Sequence, residues 1–241
     1  MKIRSPRLFL ALLVLLCVCA SEAFAQCGEL ANTFGPYDYR TASDAERLTV
    51  DGAHFTLDVE RLIRGKTAVA PGPDISYTLR AYPNHPRALH AMMNLGFMNR
   101  TDKPDGSTYT VQCWFDRAER FVPEDGTVQM LYGIYVLRKG DAAGAIKRFK
   151  RSEELSGESA NLHYNTGLAY LDLHDYDNAL DQARAAYRLG FPLPGLRNKL
   201  QEVGKWQPIE TPASAEAPVP GKPEPSGKQA PESPAAGRTG G

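Results

Sequence analysis

The sequence predicts an all-α protein: antiparallel helical hairpins stacked as a solenoid and closed by a terminal helix. Three observations predict it. Residues recur in phase at an interval of 34 in the second half of the chain. Apolar positions there follow helical rather than strand spacing. Two flanking stretches of foreign composition set this region apart from its ends.

The repeat is read by writing the 126–159 and 160–193 segments above one another. Gly133 and Gly167, Asp141 and Asp175, Ala145 and Ala179, and Leu155 and Leu189 all coincide at that interval of 34. One interval earlier, Phe149 points to Phe115, Ser152 to Ala118 and Gly157 to Pro123. Self-similarity at such a period is the signature of a repeated supersecondary unit. Val128–Leu137 and Ala142–Leu155 read as one helical pair, Leu162–Leu173 and Asn178–Leu189 as the next. Asp141 and Asp175 stand where an N-cap oxygen would accept from free amides of each second helix. Gly133 with Ala145, and Gly167 with Ala179, are small enough to let paired helices approach. Tyr132, Tyr170, Phe149 and Tyr187 then fill the wider gaps, and Gly190-Phe191-Pro192 stops the last pair.

An altered unit, 74–125, precedes these two. Arg87–Met98 reads as its first helix and Thr110–Phe121 as its second, joined by a long turn over Asn99–Thr108. Ile75–Tyr82 is expected to be a lone helix, the half of a further hairpin. In the 26–73 arm, Leu57–Arg64 reads as a short helix capped by Thr56, with Val59, Leu62 and Ile63 inward. Tyr37, Tyr39, His54 and Phe55 would pack this arm onto the first hairpin as a cap. At the other end, 194–206 carries a Leu196, Leu200, Val203 stripe under a polar face, as a closing helix should.

At Gly133, Ala145, Phe149 and Leu155, and at Gly167, Tyr170, Ala179, Ala186 and Pro192, the chain resembles the tetratricopeptide repeat family. Gln129 and His163 stand where that family has Trp, and Ala183 where it has an aromatic residue. The resemblance implies a right-handed solenoid whose first helices line a concave groove for a peptide or protein partner. It places Thr127, Met130, Ile134, Arg138, Asn161, Tyr164, Asn165, Leu168 and Asp172 on that groove. Only Arg138 among them is basic, so a lysine- and arginine-built carboxylate clamp is not expected.

The ends carry their own signals. Lys2, Arg4 and Arg7 precede an apolar run from Leu8 to Ala20 and the small residues of Ala23-Phe24-Ala25. This is the pattern of a signal peptide over 1–25, cut between Ala25 and Gln26, and it implies a periplasmic or secreted protein. The run is too short to span a bilayer comfortably, and no transmembrane span is expected in the mature chain. Residues 207–241 are rich in Pro, Ala and Gly and lack any aromatic residue, the composition of a disordered tail. Once the leader is removed, Cys27 and Cys113 remain, and in an oxidising compartment they are expected to form a disulfide.

Charge and motifs exclude several classes. The chain holds 28 Lys+Arg against 28 Asp+Glu, with no basic stripe, so nucleic acid is not an expected partner. No phosphate loop, dinucleotide glycine pattern, nucleophile elbow or His-Glu-x-x-His motif occurs, and no catalytic residue, cofactor or metal is expected. His85 and His90 are wrongly spaced for a metal on one helix face. Lys147, Arg148, Lys150 and Arg151 form the one basic cluster, expected on a solvated helix face. The expected function is therefore non-enzymatic protein or peptide binding. Two alternatives remain open: a self-assembling envelope subunit, or an enzyme whose site in the arm uses His54, Tyr39 and Lys66.

Overall fold

The structure is a computed structural model, and it describes residues 27–206. The leader and its cleavage point, and the tail over 207–241, lie outside the described residues. Among the described residues the protein is all-α, with ten helices packed mostly as sequential pairs. In order these are α1 (Asp44–His54), α2 (Leu57–Glu60), α3 (Gly72–Ala81), α4 (Pro86–Asn99) and α5 (Val111–Phe121), then α6 (Gly126–Arg138), α7 (Ala142–Ser156), α8 (Ala160–Asp172), α9 (Tyr176–Arg188) and α10 (Gly195–Glu202). Pairs α6/α7 and α8/α9 are the tightest, and α7 packs in turn on α8.

Helices α5 to α9 each start on an oxygen that accepts from an otherwise free amide. Thr110 accepts from Cys113 N–H, Asp125 from Thr127 and Val128, Asp141 from Gly144, Ser159 from Leu162 and Asp175 from Asn178. Such a cap is worth about 1 kcal/mol of helix stability. The stops recur as well. Gly140 and His174, 34 residues apart, both take left-handed backbone at φ 91° and 59° at the end of a first helix. Gly157 and Gly190 do the same at the ends of α7 and α9, at φ 77° and 81°.

Among the described residues the core is built of four clusters, the smallest of them Val50, Ala81 and Tyr82 beneath the arm. The largest unites Phe55, Val59, Ile75 and Leu79 with Met92, Trp114, Phe115 and Tyr132. Phe149, Ile146 and Leu162 form the second, and Ala179, Leu180, Leu196 and Leu200 the third. Gly133 is required here, because a Cβ on it would run into the Phe149 ring. Gly167 lies close to its partner helix at Gln182 and the Ala179 carbonyl, as expected, and Leu196 of α10 also fills the space above it.

The arm departs most from its sequence reading. Helix α1 was not foreseen; Ser43 and Glu46 close a full capping box on its first turn. The expected helix over Leu57–Arg64 shrinks to one turn, Leu57–Glu60, and Thr56 makes no side-chain cap. Leu62 turns into left-handed backbone at φ 59°, which throws Ile63 out to 66% exposure instead of inward. At the far end Leu196 and Leu200 are fully buried, whereas Val203 lies past the helix and is largely exposed.

The expected Cys27–Cys113 disulfide is present and fastens the arm to α5. Beside it Arg117, 1% exposed, donates through Nη1 to the carbonyls of Cys27 (2.8 Å), Gly28 (3.2 Å) and Glu29 (2.7 Å). Its guanidinium also lies over the Tyr109 ring at 4.6 Å. Burial pushes the Arg117 pKa down from its ordinary value. A second fastening centres on Asn84, which donates to Asp38 at 2.7 Å and to Asp125 at 3.0 Å and accepts from Tyr39 N–H. Through Asp125 this ties the arm to the cap of α6. Arg40 beside Asp38 holds that carboxyl at a pKa of about 2.

Two stability outcomes follow from this packing. Gly133→Ala is expected to lose about 1–3 kcal/mol through overpacking against Phe149. Gly52→Ala, where an added Cβ meets nothing within 4 Å, should gain about 0.5–1 kcal/mol in α1. Urea unfolding of both variants checks the opposite signs. Replacing Cys27 and Cys113 together by Ser releases a loop of sequence separation 86, which chain entropy values at about 4–5 kcal/mol. A midpoint within error of the wild type's would refute that role for the bridge.

Candidate functional site

Counting from the N-caps shows which positions of the first helices correspond. Asp125 and Ser159 cap α6 and α8, and the fifth residue on from each is Met130 and Tyr164. The ninth is Ile134 and Leu168; the thirteenth is Arg138 and Asp172; the second is Thr127 and Asn161. The same count from His85, the N-cap of α4, selects Arg87, His90, Asn94 and Met98. Helices α4, α6, α8 and α10 each touch the next.

None of the nine residues placed on the groove by the resemblance is buried. Thr127, Arg138, Asn161 and Asp172 are exposed, while Met130, Ile134, Tyr164, Asn165 and Leu168 are half-buried. The half-buried ones also serve the core. Met130 and Ile134 pack on the second cluster, Tyr164 and Leu168 on the third. The Tyr164 ring stacks on Phe191 at 4.0 Å. Asn165 donates to the carbonyl and side-chain oxygens of Asn161, both at 2.8 Å.

The structure adds residues of α4 that the sequence reading passed over. Arg138 donates to Asn94 Oδ1 at 2.7 Å and lies over the Phe97 ring at 3.8 Å. Asn94 in turn contacts the His90 ring at 3.2 Å. A signal for them existed in the cap spacing, but the longer turn before α5 shifts α4 out of the 34-residue phase. The face is therefore mixed: amides, one arginine held in place, and the edges of partly buried apolar side chains.

The basic cluster on α7 separates. Arg148 turns inward over the Tyr132 ring at 3.4 Å, pairs with Glu119 at 3.2 Å and donates to Gln129. Arg151 pairs with Glu154 at 3.0 Å, and Lys147 and Lys150 stay exposed. Tyr132 donates to Asp116 at 2.6 Å, and burial, reinforced by that carboxylate, raises the Tyr132 pKa.

The arm residues His54, Tyr39 and Lys66 go to two different places. His54 Nδ1 stands 3.0 Å from Asp74, and its ring stacks on Tyr77. Asp74 is fully buried and also accepts from the Lys66 and Thr67 amides and from the Thr67 hydroxyl. Burial pushes its pKa up, and these hydrogen bonds outweigh burial and bring it below the ordinary value. Lys66 thus contributes its backbone. Tyr39 instead donates to Asp51 at 3.2 Å and lies against His85, their ring centres 3.9 Å apart.

His85 is a structural residue. Its Nδ1 accepts from Ala88 N–H, which caps α4, so Nε2 carries the proton and donates to Asp51 at 3.2 Å. Burial lowers its pKa, and Asp51 opposes that only in part.

Among the described residues no three His, Cys, Asp or Glu side chains are grouped to hold a metal ion. No helix among them is long and apolar enough to cross a membrane. Comparison of the chain with protein-family models and with curated proteins finds no match in either.

The His85 arrangement gives stability a definite pH dependence. Its folded pKa lies below its unfolded value near 6.5, so the unfolded chain binds more protons as pH falls through that value. Its contribution is complete above about pH 7 and is lost on acidification, at no more than about 1.4 kcal/mol per pH unit. His85→Asn replaces the Nδ1 cap acceptor by an amide oxygen and removes the titration. Urea midpoints at pH 7.5 and 5.5 should fall less in this variant; an equal fall in both would exclude His85 as a source (roughly this interval brackets the histidine range).

Proposed function

We propose that this chain is an exported, non-enzymatic binding module of the tetratricopeptide type. In this reading the hairpins from α4 onward form a right-handed solenoid, and the first helices offer a face to an extended peptide or a partner's helix. The observation that carries it is the shared cap register. Equivalent positions recur on α4, α6 and α8, helices that touch in turn, and none of the nine groove positions on α6 and α8 is buried. The face mixes amides and Arg138 with the edges of partly buried apolar side chains, a mixture compatible with a polar interface.

The Cys27–Cys113 bridge fits an oxidising compartment, which agrees with the leader read in the sequence. The closing role proposed for α10 rests on Leu196 and Leu200, which cover the end of the last pair.

The choice of variants matters, because Ile134 and Tyr164 are shared with the core and changes there would perturb folding. Thr127→Glu combined with Asn161→Glu alters only exposed positions. Cross-linked partners recovered from an envelope fraction should fall at least tenfold with this pair, with the thermal midpoint unchanged. Lys147→Glu with Lys150→Glu, on the exposed side of α7, should leave recovery as it is. Recovery insensitive to the first pair would overturn the groove reading.

A further inference from the structure

A pocket of about 380 Å³ opens between the last turn of α4, the 100–110 loop, the start of α5 and the end of α6. That volume sits at the lower end of the range, roughly 300–1,000 Å³, in which proteins hold small molecules. Met93, Phe97, Val111 and Tyr135 give it an apolar interior, and Arg100 and Lys139 stand on its lining.

Its outer wall is the unusually long turn between the helices of the first pair, and that wall is fixed. Trp114 Nε1 donates to Ser107 Oγ at 2.9 Å, and Ser107 Oγ donates to the Tyr109 carbonyl at 2.7 Å. Thr108 N–H donates to Ser76 Oγ at 3.0 Å, and Val111 N–H to the Asp102 carbonyl at 2.7 Å. The loop is thus tied to α3 and α5 on both sides, so the cavity is preformed and a ligand need not order it.

The two cations differ. Lys139 is paired with Asp102 at 2.8 Å. Arg100 is exposed, and among the described residues no carboxylate pairs with it. It also holds left-handed backbone, φ 52° and ψ 43°, at the end of α4, where its amide bonds the Gly96 and Phe97 carbonyls. Glycine occupies such a position without strain, whereas a side chain there is strained. Arg100 keeps that position, exposed, on the lining of the cavity.

We propose that this pocket binds a small organic acid: one carboxylate held by Arg100, on an aromatic or branched body received by Phe97, Met93, Val111 and Tyr135. The guanidinium fork matches a carboxylate with two parallel hydrogen bonds. Lys139 adds charge only so far as Asp102 releases it. The inference is independent of the groove reading, since it concerns the pocket behind Phe97 and not a macromolecular partner.

The test is calorimetric titration of the full chain with phenylacetate and, in parallel, with the uncharged phenylacetamide. Phenylacetate is expected to bind saturably and the amide at least tenfold more weakly. Arg100→Gly relieves the backbone, so it should be at least as stable as the wild type while binding phenylacetate about tenfold or more weakly. Asp102→Asn keeps the backbone carbonyl and frees Lys139, so it should bind more tightly. Absence of saturable binding, equal binding of acid and amide, or an unchanged affinity in Arg100→Gly would each overturn the proposal. A purely structural Arg100 would not produce opposite shifts in the two variants.

Discussion

Most helices of this protein bury a stripe and expose the remainder, so a pair closed on itself still leaves an apolar face for a neighbour to cover. The rest of the structure answers that constraint. Between pairs the next hairpin supplies the cover, as Phe149 and Ile146 of α7 meet Leu162 of α8. After α9 the cover is α10, whose Leu196 enters the space that Gly167 leaves open. Before α4 the cover is the arm, which has only one turn of helix in α2 and a mostly exposed α1 with which to build a core.

The arm is therefore held by directed interactions rather than by area. A buried guanidinium without a carboxylate would cost several kcal/mol if left unpartnered. Arg117 meets that cost with three carbonyls in the Cys27–Glu29 stretch and with the faces of Tyr109 and Trp114. Those carbonyls belong to a segment with no helix to satisfy them, so each side supplies what the other lacks. The disulfide, one helical turn away at Cys113, limits how far the segment can leave even when those hydrogen bonds open. Asn84 does the same for the following stretch, joining Asp38, Tyr39 and the α6 cap Asp125.

This explains what was legible in the sequence. The paired helices, their caps at Asp141 and Asp175 and the disulfide were readable, because each depends on local chemistry or on the parity of two cysteines. Helix α1 was not found, since Val50 is its one buried residue and a helix with so little apolar surface shows no stripe. Its capping box, Ser43 to Glu46, was the available signal. The expected inward Ile63 failed because Leu62 adopts left-handed backbone, a conformation no propensity assigns to leucine. The Arg117 contacts reach across about ninety residues and leave no local trace (sequence separations of 88–90).

The candidate face was legible in part for the same reason. Its α6 and α8 members follow from the 34-residue phase; Thr127, Arg138, Asn161 and Asp172 are exposed and the other five half-buried. The α4 members were hidden by the longer turn that follows, which breaks the phase while leaving the count from the N-cap intact. Backbone conformation tracks the repeat more closely than residue type does. Gly140 and His174 share the left-handed stop although only one is glycine, and His174 finds a partner in the Tyr176 hydroxyl at 3.1 Å. Arg100 ends α4 with the same handedness and stands on the lining of a cavity. Three first helices thus stop in one way, by glycine, by histidine and by arginine. The turn after the arginine is the one that lengthens into a wall, so the departure from the repeat and the pocket are a single structural event.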